Sequence, residues 1–231
     1  MQRTISAGKV IAGGRASFPW QDPDDPKLVI DRVRAHPDVN QERIGLLGFS
    51  QGGVFSLLFA AYRGGAAAVV AYYPVTDFER WLKAPDAELG RRLVFGIIRI
   101  GFRRASGAKS DKELQTLLRR ASPFWQATSI RAPVLLVHGD RDGSAEIDES
   151  RRLARRLAEL SRPVELLVVR GGSHVFNFRD RTQADLAWAA TLRFLDRHLM
   201  PEQFSLFRSS RRSGSRNVGL AAWTKSDRQS L

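Results

Sequence analysis

A serine between glycines offers the clearest chemistry in this sequence. Residues 48–52 read G-F-S-Q-G, after an apolar run at 44–47 and before a helical run at 54–62. This order predicts a sharp strand-to-helix turn that exposes the Ser50 hydroxyl at the N-terminus of a helix. Such a hydroxyl attacks a carbonyl carbon once a base removes its proton. We expect Gly48 and Gly52 to be required because the chain approaches itself closely at the turn.

One of the four histidines is placed to act as that base. His174 lies at the end of a glycine-rich loop that follows the predicted strand 164–169. Open α/β sheets build their sites at the carboxyl ends of their strands, so His174 is the predicted base. The other three are interpreted as structural: His36, His138 and His198.

The base needs an acid that orients it, and two aspartates follow the predicted strand 133–138. Asp142 lies further into the loop, whereas Asp140 is expected to hydrogen-bond its own turn. We therefore predict a triad in which Asp142 fixes the tautomer of His174. The backbone N–H of Gln51, directly after Ser50, is predicted to stabilise the oxyanion. The chain order Ser, Asp, His is that of α/β-hydrolases.

The elements that must position these residues alternate along the chain. Apolar runs predict strands at 9–12, 44–47, 66–73, 133–138 and 164–169. Helical patterns lie at 26–36, 54–62, 93–102, 111–120, 148–160 and 183–199. This alternation predicts an α/β fold with a mostly parallel sheet and helices on both faces.

Several blocks resemble known families. Residues 34–53, 132–142 and 172–176 look like the dienelactone hydrolase family, whose His-Gly-x-x-Asp acid falls on Asp142. The motifs Y-P-V-T-D-F at 73–78 and S-P-F-W at 122–125 are similar to the catalytic domain of prolyl-oligopeptidase-type serine peptidases. Both resemblances imply the α/β-hydrolase fold and a Ser-Asp-His triad. The founding dienelactone hydrolases carry a cysteine nucleophile where this chain has Ser50, which points to esterase-like relatives.

The resemblance also implies a domain organisation. Residues 1–203 would form a shortened α/β-hydrolase domain with a helical cap insertion at about 75–131, and 204–231 a basic, disordered tail. The apolar segment 91–104, with arginines at both ends, is interpreted as a cap or packing helix rather than a membrane contact. Only 49 residues precede Ser50, so we expect most of the strands that normally precede the nucleophile to be missing. The second oxyanion donor is then not identified, with Gly13-Gly14 as the one candidate. An uncovered sheet edge would favour a homo-oligomer.

Composition excludes several other classes. The net charge is +13, but the basic residues are spread along the chain without interleaved aromatics or a known nucleic-acid-binding spacing. The absence of cysteine excludes disulfides and thiolate metal sites and fits a cytoplasmic location. No segment has the length and apolar character of a membrane span. No ligand cluster implies a metal or an organic cofactor.

These observations predict a serine hydrolase that cleaves a carboxylic ester or related small acyl substrate. A prolyl-oligopeptidase-type peptidase is an alternative, ranked lower because such enzymes often bind the substrate terminus with a separate propeller domain. An incomplete, weakly active or inactive fragment, or a binding module, is the other alternative.

Overall fold

The structure is a computed structural model that describes residues 30–83, 89–200 and 221–222. Helix α1 covers residues 30–34, within the helix predicted at 26–36. The strand predicted at 9–12 and the candidate oxyanion donors Gly13 and Gly14 lie outside the described residues.

Within the described residues, the sheet has four parallel strands in chain order and one short antiparallel strand. Their bounds are β1 Gly45–Phe49, β2 Ala68–Tyr72, β3 Val134–Gly139, β4 Val164–Val169 and β5 Ala221–Ala222. The predicted mostly parallel sheet is therefore confirmed. Strand β5 pairs with β4 and belongs to the segment predicted as a disordered tail; the rest of that segment lies outside the described residues.

In the described part of the chain, six further α-helices follow α1. Their bounds are α2 Gln51–Tyr62, α3 Phe78–Lys83, α4 Leu89–Ser106, α5 Asp111–Arg120, α6 Ile147–Glu159 and α7 Arg181–Leu199. Helix α3 was not predicted because its six residues are too few to show a helical period. Among the described residues, no helix combines the length and apolar character needed to cross a lipid bilayer.

Helices cover both faces of the sheet, as the apolar strands require. Alternate strand residues such as Val69, Ala71 and Leu136 pack against α2 and α6. Their neighbours along the strands, such as Val70 and Leu135, pack against α7. Strand residues buried on both sides explain why each strand is a continuous apolar run rather than an alternating one.

Helices α3, α4 and α5 follow β2 and form a third apolar cluster on α2. Phe78, Phe102 and Leu114 pack there against Val54 and Leu58 of α2. This places α3, α4 and α5 directly beside α2, the helix that follows Ser50.

A partly buried carboxylate ties α3 to α5. Glu79 accepts hydrogen bonds from Lys83 Nζ at 2.8 Å, Gln115 Nε2 at 2.7 Å and Arg119 Nε at 2.8 Å. Burial acts to raise the pKa of Glu79, but the three donors outweigh it and lower the pKa to about 2. Ionised Glu79 therefore stabilises the packing of α3 against α5.

Candidate active site

Ser50 lies at the junction of β1 and α2 in a backbone conformation that L-residues rarely adopt. Its φ is 50° and its ψ is −118°, and its N–H donates to the Tyr72 carbonyl at the end of β2, at 2.9 Å. Its own carbonyl accepts from the N–H of Gly53 at 2.9 Å. The neighbouring strand and the first helical turn thus hold a strained turn in place. This is the predicted strand-to-helix turn.

Only one of the two glycines expected to be required by this turn is sterically necessary. A Cβ added to Gly48 would lie 2.1 Å from the carbonyl oxygen of Gly52. A Cβ added to Gly52 would meet nothing within 4 Å, because that position faces away from the strand. The expectation for Gly52 was therefore wrong: its backbone, not its missing side chain, approaches Gly48.

His174 reaches Ser50 from the loop after β4. Its Nε2 lies 3.1 Å from Ser50 Oγ, and its side chain is about one quarter exposed. The ring of Tyr73 packs edge-on against the imidazole with ring centroids 4.8 Å apart. The Tyr73 hydroxyl also donates to Asn177 Oδ1 at 2.6 Å, three residues beyond the histidine. Tyr73 therefore contacts the imidazole and the segment that carries it.

Asp142 completes the arrangement from the loop after β3. Its Oδ2 lies 2.7 Å from His174 Nδ1, and its Oδ1 accepts from the backbone N–H groups of Ser144 at 2.8 Å and Ala145 at 2.9 Å. Burial acts to raise the pKa of Asp142, but the polar contacts from His138, His174 and the two N–H groups outweigh it and hold the pKa well below the usual range. Asp142 is thus an ionised carboxylate with a fixed orientation.

The loops after β3 and β4 meet because their backbones pack closely. A Cβ on Gly139 would lie 2.2 Å from the carbonyl oxygen of Gly172, and that oxygen accepts from the Arg141 N–H at 2.9 Å. Asp140 Oδ1 accepts from the N–H of Gly171 at 2.7 Å. We had expected Asp140 to hydrogen-bond its own turn. It instead accepts a hydrogen bond from the neighbouring loop and so helps to hold the two loops together.

The three side chains form one continuous hydrogen-bonded row from hydroxyl to imidazole to carboxylate. In this geometry the imidazole can accept the Ser50 proton at Nε2 while Asp142 holds a proton on Nδ1. Gln51 begins α2, so its N–H lies in the first turn at the positive end of the helix dipole, next to the nucleophile. Among the described residues, no group of three or more His, Cys, Asp or Glu side chains could hold a metal ion.

A cavity of about 340 Å³ opens at Ser50 and His174. Its other lining residues are mainly apolar and come from α2, from the start of the insertion and from α4: Val54, Val75, Phe78, Trp81, Ile98 and Phe102. Trp81 is fixed by a hydrogen bond from its Nε1 to the Ser144 carbonyl, at 2.8 Å, in the loop of Asp142. Helices α3 and α4 therefore form a wall of the cavity.

A buried carboxylate, Glu149, holds the short segment between β2 and α3 that leads into this cavity wall. Glu149 of α6 accepts from the backbone N–H of Thr76 at 2.8 Å and of Asp77 at 2.7 Å. Burial raises the pKa of Glu149 more than these hydrogen bonds lower it. Val75 and Phe78, on either side of the bonded pair, line the cavity. Glu149 thus connects α6 to the cavity wall.

The sequence interpretation missed two residues beside the predicted site. His138, interpreted as structural, lies 3.4 Å from Asp142 through its Nε2. Tyr73, directly after β2, packs on His174. His138 carried a signal, because it ends the strand that leads into the Asp142 loop. Tyr73 begins the Y-P-V-T-D-F motif, but that motif does not indicate a contact with His174, since the contact depends on how the loop after β4 folds back.

Comparisons show that this chain is similar in sequence to several known proteins. The model of the prolyl oligopeptidase family matches residues 19–202. An uncharacterized peptidase, YtmA of Bacillus subtilis (strain 168), is 31% identical over 164 residues, which are 71% of this chain and 60% of that protein. A probable 2-oxo-3-(5-oxofuran-2-ylidene)propanoate lactonase of Bradyrhizobium sp is 25% identical over 187 residues, or 76% of this chain and 61% of that protein. The chain thus spans about 60% of the length of these relatives.

Solved structures show the same fold. The uncomplexed acylaminoacyl peptidase of Pyrococcus horikoshii superposes with a TM-score of 0.66 at 21% identity, over 83% of this chain and 30% of that one. An acetyl xylan esterase from Paenibacillus sp. R4 gives 0.61 at 20% identity, over 76% of this chain and 51% of that one. The sheet and helices described above are therefore those of an α/β-hydrolase.

Proposed function

We propose that this chain, which belongs to the prolyl oligopeptidase family, is a serine hydrolase of the peptidase type. The observation that carries the proposal is the row Ser50–His174–Asp142, with separations of 3.1 Å and 2.7 Å, at the mouth of an apolar cavity. The similarity to peptidases shifts the preference away from the ester hydrolase that the sequence favoured.

The proposed reaction proceeds through an acyl-enzyme. Ser50 Oγ attacks the substrate carbonyl carbon while His174 Nε2 takes the hydroxyl proton. The Gln51 N–H donates a hydrogen bond to the oxyanion that forms. The imidazolium then gives its proton to the leaving nitrogen as the acyl bond breaks. Water, deprotonated by His174, hydrolyses the acyl-enzyme and restores Ser50.

The cavity supports a preference for an apolar group next to the scissile bond. Its walls are aromatic and aliphatic, and its volume of about 340 Å³ suits one large side chain. Because Ile98 points into it from α4, a bulkier residue there would reduce the space. We expect Ile98→Trp to lower kcat/KM for a phenylalanine amide by tenfold or more while acetyl ester hydrolysis changes little. Equal losses on both substrates would contradict the assignment of the cavity.

Ester hydrolysis is a second candidate, supported by the similarity to a probable lactonase. Oxygen leaving groups need less protonation than nitrogen, so the same three side chains serve both reactions. The ratio of kcat/KM for acetyl-phenylalanine p-nitroanilide to that for p-nitrophenyl acetate separates the two. Undetectable anilide cleavage alongside ester turnover would favour the esterase.

The decisive control is dependence on the nucleophile. Ser50→Ala and His174→Ala should abolish turnover of both substrates. Ser56→Ala, on the same helix with its hydroxyl bonded to the Gly52 carbonyl, should not. Turnover that survives in Ser50→Ala, or no turnover by the folded wild-type chain, would overturn the proposal and favour the inactive-fragment alternative.

A further inference from the structure

A fully buried histidine borders the acid of the proposed triad without belonging to it. His138 is 0% exposed at the end of β3. Its Nε2 lies 2.7 Å from the Ala145 carbonyl oxygen and 3.4 Å from Asp142 Oδ2. Its Nδ1 lies 2.7 Å from the Ser150 hydroxyl of α6. Every polar atom of this ring therefore has a partner in the protein.

These partners assign the tautomer. A carbonyl oxygen only accepts, so the proton of His138 must be on Nε2. In the neutral ring Nδ1 is then an acceptor, and the Ser150 hydroxyl donates to it. The same Nε2 also lies 3.4 Å from the carboxylate oxygen that receives the His174 Nδ1–H, so the partial positive charge of its N–H acts on that oxygen. Two imidazoles thus act on one oxygen of Asp142.

We propose that His138 is a positioning residue for the triad: its Nε2–H moderates the charge of Asp142 and holds the loop that carries it. The proposal rests on the proposed function for the role of Asp142. Through Ala145, His138 fixes the far end of the loop whose N–H groups bind Asp142 Oδ1. Because His138 Nε2 also lies beside Asp142 Oδ2, its N–H partly offsets the negative charge of Asp142 that would otherwise act on His174 alone.

A pH profile distinguishes this role from simple packing. When the His138 N–H is removed, the negative charge of Asp142 would act more strongly on His174 and favour the protonated form of the His174 ring. The acidic midpoint of the reaction at Ser50 should then move to higher pH. The titratable side chains that interact with Asp142 by contact or by charge include His138, His174 and Tyr73. Burial, and to a smaller extent the charge of Asp142, raises the pKa of Tyr73 above its usual range, so this phenol stays neutral during the measurement.

The chain offers a matched pair of variants. In His138→Gln the amide nitrogen can occupy the position of Nε2 and keep the donor to Ala145 and Asp142. In His138→Asn the shorter amide reaches only the position of Nδ1, beside Ser150. His36→Asn, at the exposed turn after α1, controls for loss of a histidine elsewhere.

The rate of Ser50 modification by a fluorophosphonate, measured from pH 5 to 9 on the full chain, supplies the profile. We expect the midpoint in His138→Asn to rise by about half a pH unit and the plateau rate to fall roughly tenfold. His138→Gln and His36→Asn should keep the wild-type midpoint. A midpoint that is the same in all four proteins would overturn the proposal.

A second measurement on the wild-type chain does not depend on activity or on the folding of a variant. Nitrogen-15 NMR of the histidine rings should find the His138 proton on Nε2. A proton on Nδ1 alone would contradict the proposal even if Ser50 reacts. An unreactive Ser50 together with a protonated His138 Nε2 would instead contradict the proposed function and leave the placement of the His138 donor supported.

Discussion

Replacing Asp142 by asparagine tests the proposed triad with almost no change of shape. The N–H groups of Ser144 and Ala145 both donate to Asp142 Oδ1, at 2.8 Å and 2.9 Å. In Asp142→Asn the amide oxygen must stay at that position. The opposite orientation would leave two backbone donors without an acceptor, at roughly 1–3 kcal/mol each. The amide nitrogen therefore takes the position of Oδ2.

That placement reverses the tautomer of His174. The amide N–H₂ would face His174 Nδ1 at about 2.7 Å, so Nδ1 must accept and the ring proton moves to Nε2. Nε2, 3.1 Å from Ser50 Oγ, then cannot accept the Ser50 proton. The same change in a well-known serine protease lowers kcat by about 10⁴, which corresponds to roughly 5.5 kcal/mol of transition-state stabilisation. We expect a similar loss here.

The assay compares kcat for p-nitrophenyl acetate and for an aminoacyl anilide in wild type, Asp142→Asn and Asp140→Asn. Asp140→Asn is the matched control, because its carbonyl oxygen can still accept from the Gly171 N–H. It should retain activity within about threefold, and the urea midpoints should show that both variants fold. A folded Asp142→Asn protein with kcat within tenfold of wild type would refute the assigned role.

Three further predictions concern stability, measured as the free energy of unfolding in urea. Gly48→Ala should destabilise the protein by about 3 kcal/mol or more, because the added Cβ would clash with the Gly52 backbone. Gly52→Ala meets no such clash and should be neutral or stabilise the protein by up to about 1 kcal/mol. Equal effects of the two substitutions would contradict the steric account. Glu149→Ala should lower the free energy of unfolding by about 2–5 kcal/mol, because it leaves two buried N–H groups unpaired. Glu149→Gln keeps an acceptor and should lower it by about 1 kcal/mol or less. A loss in Glu149→Gln as large as that in Glu149→Ala would contradict this account. Because its folded pKa of about 2 lies below 4.5, Glu79 contributes up to roughly 3 kcal/mol that is present above pH 4.5 and lost as pH falls toward 2. Glu79→Gln should therefore be less stable at pH 7 and lose less between pH 4.5 and 3, and an unchanged pH dependence would contradict that contribution.

The sheet and the positions of the proposed triad could be predicted because local patterns encode them. Strand β4 was predicted with its observed bounds, Val164–Val169, from one continuous apolar run between turn residues. Ser50, Asp142 and His174 each follow a predicted strand, and parallel strands bring their carboxyl ends to one edge of the sheet. Their proximity follows from topology, although they lie up to 124 residues apart in the sequence.

Other features depend on contacts between distant segments and could not be predicted. The bond from Asp140 to Gly171 requires the close approach of Gly139 to Gly172, which no local pattern encodes. The cavity wall combines α2 with α4, so its apolar character appears only once α3, α4 and α5 pack on α2. The predicted disordered tail, cap boundaries, self-association and second oxyanion donor remain predictions.

The most direct test of the central claim is to locate the covalent adduct of a fluorophosphonate probe by peptide mass spectrometry. An activated hydroxyl requires both the base and the acid behind it, so the adduct should lie on Ser50 in the wild-type chain. It should be absent in Ser50→Ala and strongly reduced in His174→Ala. An adduct on another residue, or labelling of Ser50 that is undiminished in His174→Ala, would contradict the account.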